Sequence, residues 1–259
     1  MTLITDNVDA TIRVVPVEQP WAWLAAGWRD MWRAPGVSLT YGIVFSAISI
    51  ALTAGLFFLD LAYLIMPLTA GFFLIGPMMA VGLYETSRRL EANESLRLKD
   101  ALLVSIRSRS QATQLAFVGI IIMAIMLVWV RAATVLFALF FSGSLPPFDV
   151  LVSDLFFTWN GIGMLVVGSG VGAVLAVVIY TATVVSVPML LARDVDAITA
   201  VFTSIQAVRQ NLPTMILWAW LIVVLTGCGL VTLFLGLAIT FPLVGHATWH
   251  AYRDLVAPS

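Results

Sequence analysis

The only two histidines of this 259-residue chain, His246 and His250, lie four positions apart in a closing stretch that also holds Asp254. On a helix the three side chains share one face, each a turn beyond the last. Imidazoles at that interval can bind zinc, copper or haem iron, and a nearby carboxylate can orient or complete such a site. Between them stand Ala247, Thr248 and Trp249. The glutamate of a helical zinc-protease motif is therefore missing, which disfavours peptide hydrolysis. The simpler reading is that both imidazoles hydrogen-bond other helices. A metal or haem site on His246, His250 and Asp254 stands beside it, as does a role in proton or ligand handling.

Arg131 is the one basic residue inside a long apolar run. A charge in lipid is costly, so it is expected either to stretch to the surface or to pair with Asp149 or Asp154, with a transport role as the alternative. Gly168 and Gly172 form a small-xxx-small spacing within a run that also holds Gly161, Gly163 and Gly170, a pattern for close helix packing. Pro77, Pro188 and Pro242 each fall late in an apolar run and predict kinks. Glu85, Asp196 and His250 each follow one of these prolines by eight residues, which would let them meet at one end of a bundle. No Ser-His-Asp arrangement, intramembrane carboxylate pair or phosphate-binding loop is visible, so catalysis is not expected.

The elements that must position these groups are membrane helices. The chain is 61% hydrophobic and 10% charged, where soluble domains carry about 25% charged residues; its mean hydropathy is +1.03. A net charge of −1 offers nucleic acid no general attraction, and the lone Cys228 cannot form an intrachain disulfide. A crossing needs about 20 apolar residues. Apolar stretches at 37–59 and 61–83 are too long together for one crossing, so a tight hairpin is expected around 59–66. The stretch 214–249 would form a helix of about 54 Å, against a core of about 30 Å. Gly227-Cys228-Gly229 is its expected break. The prediction is an all-α bundle of six spans, at about 37–59, 64–88, 112–141, 161–191, 212–227 and 229–251. They form one transmembrane domain, 20–259, behind a polar, flexible N-terminal tail, 1–19. Pro146-Pro147, Asp149 and Asp154 mark a loop, and the short apolar piece 151–159 is expected to lie at the interface.

Six crossings place every one of the thirteen Lys and Arg residues except Arg131 on one face, while the opposite loops hold Asp60, Asp149 and Asp154. Positive loops stay in the cytoplasm, so both termini are expected there. Trp21, Trp23, Trp28 and Trp32 precede the first span, where rings anchor at headgroup level. Three times an amphipathic segment (21–33, 99–109, 195–209) precedes a pair of apolar segments. Pro77, Tyr84, Arg88 and Leu90 have counterparts at equal offsets in Pro242, Trp249, Arg253 and Leu255. Three tandem repeats of interfacial helix plus hairpin would explain this, as would the common order of groups wherever a helix leaves a membrane. In the third prelude Val195, Ile198, Val201, Phe202, Ile205 and Val208 share one face.

The stretch from Val187-Pro188-Met189 through Arg193 and Asp196-Ala197, then Ser204 and Val208-Arg209-Gln210-Asn211, leads to a closing Gly245-His246-Ala247-Thr248-Trp249-His250-Ala251-Tyr252-Arg253. Together these resemble an uncharacterised family of predicted bacterial integral membrane proteins, the closing G-H-x-x-W-H-x-Y-R motif being the most specific part. The resemblance implies a bacterial inner-membrane location and no established activity. Three functions remain open: a non-enzymatic structural or accessory protein contacting itself or another membrane complex, a metal- or haem-binding accessory subunit, and a small-solute or ion transporter. The leading expectation is the first, with no cofactor and with the lipid bilayer as the constant partner.

Overall fold

The computed structural model describes residues 11–94, 109–141 and 148–257, and they are almost entirely helical. The prelude at 99–109, all but its last residue, the prolines of the 142–147 loop and residues 1–10 lie outside the described residues. Helix α1 (Gln19–Arg33) is followed by α2 (Pro35–Phe58), α3 (Ile65–Met79) and α4 (Val81–Glu91). Then come α5 (Arg109–Phe141), α6 (Phe148–Phe157), α7 (Trp159–Thr183) and α8 (Ser186–Ala192). The chain closes with α9 (Ala197–Gln210), α10 (Leu212–Val231) and α11 (Leu237–Leu255). Five helical stretches are long and apolar enough to cross a membrane: Pro35–Phe58, Ala62–Glu91, Arg109–Phe141, Trp159–Ala192 and Leu212–Val231.

Proline and capping residues set the joints. Pro35 opens α2 directly after α1, because its fixed φ suits a first turn and its missing N–H is not needed there. The hairpin falls where it was expected, with Asp60 in the left-handed region at φ 58° and a single 3₁₀ turn at Ala62–Leu64 before α3. Asp196 caps α9, its carboxylate accepting from the Thr199 N–H at 2.9 Å. That duty keeps Asp196 from Glu85 and His250, so the expected meeting of the three does not form. Between α7 and α8 the hydroxyl of Ser204 intervenes: it donates to the Thr181 carbonyl at 2.7 Å and accepts from the Val185 N–H at 3.2 Å. The break assigned to Pro188 is thus sealed by a side chain inserted into the helix ladder.

The final turn differs from the expectation. Helix α10 runs through Gly227-Cys228-Gly229 and ends at Val231. The chain reverses with Leu233 and Phe234 at φ 53° and 68°. Carrying the helix through the glycines keeps their backbone groups paired, which an apolar surrounding demands. The second glycine serves packing instead: a Cβ on Gly229 would stand 2.5 Å from Thr240 Oγ1 and 2.6 Å from Leu237 Cδ2 of the returning helix.

Helix α11 is the axis of the bundle's basic end. It packs against α1, α2, α4, α8 and α10, and Ala247, Ala251 and Leu255 on it are fully buried. Close approach is built in: a Cβ on Gly42 of α2 would fall 2.2 Å from the Ala238 carbonyl oxygen. Trp21, Trp28 and Trp32 face outward, as anchors should, but Trp23 does not. Its ring is buried edge-on against Trp218 at 5.7 Å, so it belongs to the core. Helix α9 turns its small residues Ala197, Ala200, Ser204 and Ala207 inward and leaves Ile198 and Phe202 exposed. Of the apolar face expected for this segment, Val195, Val201 and Ile205 are half-buried and Val208 is buried, so only part of it points away from the protein. Part of the expected flexible tail is tied down. The Arg13 N–H donates to the Leu255 carbonyl at 2.9 Å, and the Asn211 side chain accepts from the Val15 N–H at 2.8 Å.

Candidate functional site

At the basic end, α1, α2, α4 and α11 converge on a buried polar cluster. Helix α11 supplies His246 and His250, α1 supplies Asp30, α2 supplies Ser38 and α4 supplies Ser87. Ser38, Ser87 and His246 are fully buried, and Asp30 is 5% exposed. Ser87 donates its hydroxyl proton to Asp30 Oδ2 at 2.8 Å. Its oxygen remains free to accept from His246 Nδ1, also at 2.8 Å. The other ring nitrogen, Nε2, then accepts from the Ser38 hydroxyl at 2.9 Å. His250 Nε2 donates to the same Asp30 Oδ2 at 2.8 Å. With a neutral His246 protonated on Nδ1, every group in the chain Ser38–His246–Ser87–Asp30–His250 has a partner, as buried polar groups require.

Serine, histidine and aspartate do come together here, although the sequence showed no such arrangement. The order differs from that of a nucleophilic triad, since His246 meets the carboxylate only through Ser87. Both serines are fully buried. What the geometry does is tie four helices at one point.

Burial pushes the Asp30 carboxyl up, but the hydrogen bonds from His250 and Ser87 outweigh it and hold the group below its ordinary value of 3.8. A carboxylate held low contributes stability that is present above its unfolded-state value and is lost as pH falls through the folded one. Unfolding temperature is therefore expected to fall below about pH 4, and less steeply in Asp30→Asn. At neutral pH that substitution is expected to cost about 2 kcal/mol, the size of a hydrogen bond to a charged group. Equal acid slopes in both proteins would remove Asp30 from this role.

The proposed metal trio does not converge. Asp254 is one turn beyond His250 but turns to α1, where its carboxylate accepts from Gln19 Nε2 and Trp23 Nε1, both at 2.7 Å. Among the described residues no group of three His, Cys, Asp or Glu is placed to hold a metal ion. Glu85 sits close by on α4 at 1% exposure and binds two guanidinium groups, Arg88 at 2.7 Å and Arg89 at 2.6 Å. Glu91 accepts from Trp249 Nε1 at 3.1 Å and pairs with Arg253 at 2.8 Å. The closing motif thus joins helices at nearly every polar position, Tyr252 included, whose hydroxyl accepts from Arg193 at 3.2 Å.

The remaining candidates lie elsewhere. Arg131 is exposed on α5 beside Leu127, Val135 and Val171, with no ion-pair partner among the described residues. Gly168 and Gly172 do not bring backbones together; they make room for α5 side chains. A Cβ on Gly172 would stand 3.1 Å from the Trp129 ring, and one on Gly168 would stand 3.9 Å from Leu136. Sequence reasoning missed Asp30, Ser38 and Ser87. The one available signal was a lone acid on the amphipathic α1, spaced so that it falls on the buried side with Trp23 and Met31.

Residues 65–192, from α3 to α8, match the family model described as Predicted integral membrane protein (DUF2189). The stretch Val187–Ala192 of the resemblance lies inside that match, and the closing histidine motif lies beyond it. No curated protein and no solved structure matches the chain.

Proposed function

We propose that this integral membrane protein, whose residues 65–192 are those of the DUF2189 family, is a non-enzymatic accessory protein of the bacterial inner membrane. It acts through helix contacts with itself or with a partner complex. The observation that carries this reading is the contrast between its interior and its faces. His246 has both ring nitrogens taken by buried serines, while large apolar side chains such as Leu127, Leu139, Val166 and Val174 look outward. The reactive groups serve cohesion, and the surface available to a partner is hydrocarbon-like.

In this reading α11 is a sixth crossing, although its composition is less apolar than that of the other five. At 19 residues it is about 28 Å long, close to the core thickness. Its polar residues are covered by α1, α2, α4 and α10, so it need not be as apolar as a helix that faces lipid. An even count puts both termini on the basic face, which the charge rule assigns to the cytoplasm. The matching positions of Tyr84 and Trp249, each buried after a proline, support a repeated hairpin.

Cysteine labelling at the carboxyl end should report a cytoplasmic location, and a periplasmic one would overturn the six-crossing arrangement. Purification in a gentle detergent should recover a homo-oligomer or a stoichiometric membrane partner. A monodisperse monomer carrying stoichiometric metal, or a Soret band abolished by His246→Ala, would sink the accessory reading.

A further inference from the structure

We infer that the bundle holds a site for a lipid-like molecule, an apolar chain ending in a carbonyl, between α3, α7 and α10. Two adjoining cavities form it. The outer, about 480 Å³, lies against α5 and includes Trp129, Gly168 and Gly172. The inner, about 180 Å³, reaches Tyr84 of α4 and Thr248 of α11. Both are lined by Phe73, Ala176 and Val223, so they meet there. From Leu165 in the outer cavity to Thr183 in the inner one, α7 rises about 27 Å, nearly the thickness of the hydrocarbon core.

The lining decides the chemistry. Neither cavity has a charged residue in its wall, which argues against an ion or a sugar. Most hydroxyls of the inner cavity are already committed. Tyr180 donates to the Met215 carbonyl at 2.8 Å, Thr183 to Ile179 at 2.6 Å and Thr248 to Val244 at 2.8 Å. Two are not: Tyr84, 3% exposed, and Thr226, 7% exposed, line the same cavity and hydrogen-bond no described residue. Their oxygens are open to the cavity rather than enclosed, and a hydroxyl that faces apolar walls without an acceptor is costly. Water is a poor answer, because a buried water needs about three polar partners and the walls offer little beyond these two donors. A carbonyl on an apolar chain satisfies both demands, with its oxygen accepting from Tyr84 and Thr226 and its chain running into the outer cavity. Apolar walls with a few convergent polar groups are the usual make-up of such sites.

Gly76 offers a clean test, since a Cβ there would meet no atom within 4 Å and the residue lines the inner cavity. Full-length protein in lipid nanodiscs would be exposed to a long-chain fatty acid methyl ester bearing a photoreactive diazirine, and the cross-linked peptides identified. Labelling should saturate, concentrate on α3, α7 and α10, and be blocked by excess unlabelled ester. Gly76→Leu should lose it at least about tenfold while melting no lower than the parent, because it fills space. Tyr84→Phe should weaken binding about fivefold, the worth of one hydrogen bond near 1 kcal/mol. Labelling that rises without saturation, spreads over outward faces such as that of α2, or persists in Gly76→Leu would overturn the site. Unchanged affinity in Tyr84→Phe would overturn the carbonyl assignment.

Discussion

Replacing His246 with alanine is expected to lower the unfolding free energy by about 4 kcal/mol, from the cavity left in a close-packed position together with orphaned hydrogen-bonding groups. The imidazole is fully enclosed and bridges Ser38 on α2 to Ser87 on α4. Its loss leaves Ser38 without an acceptor on another helix and Ser87 with an unused oxygen. For a chain of this length 4 kcal/mol corresponds to roughly 8–16 °C in melting temperature, readable by thermal unfolding in detergent. Adding Ser38→Ala to His246→Ala should cost little more, since the second residue has already lost what it held. A drop below 1 kcal/mol, or fully additive losses, would show that the four helices do not depend on this link.

The second large effect is expected from Gly42→Ala. One methyl group placed 2.2 Å from the Ala238 carbonyl oxygen cannot be absorbed by a side-chain rotation, because the obstacle is backbone. Helices α2 and α11 must separate, and the stacked rings of Phe45 and Phe241, 4.2 Å apart, lie on the same seam. Overpacking of this kind costs about 1–3 kcal/mol, and here the upper end is expected. In a helix alanine is intrinsically better than glycine by about 1 kcal/mol, so the prediction reverses the local preference. A variant as stable as the parent would mean that α2 and α11 are less closely seated than the structure has them. Gly55, with open space around its missing Cβ, is the control, where alanine should be neutral or stabilising.

Helical, membrane-embedded architecture was legible from residue pattern alone, and so was the hairpin at 59–66, because hydrocarbon thickness and backbone pairing leave few solutions for long apolar runs. The spacing of His246 and His250 placed them correctly on one helix face, but the meeting of Glu85 with Asp196 and His250 that the proline offsets suggested does not form, since Glu85 pairs with Arg88 and Arg89. The histidines' partners were not legible. Asp30 is 216 residues before His246, and although its spacing puts it on the side of α1 that holds Trp23 and Met31, nothing local says which residue it meets. Asp254 shares the histidines' face in projection, yet Gln19 and Trp23 draw it to another neighbour.

Glycine shows the same division. Composition marks where the backbone has no Cβ, but not whether that freedom turns the chain, admits a ring or lets two helices touch. At Gly227–Gly229 the expected turn gave way to a continuous helix, and at Gly168 and Gly172 the expected helix seam became the wall of a cavity. Local sequence determines what each segment can be, since propensity, hydropathy and span length act within a few turns. Which side chains meet depends on how helices far apart in the chain pack, and only the tertiary structure decides that. Charge pairing, hydroxyl satisfaction and steric fit are properties of the assembled interior.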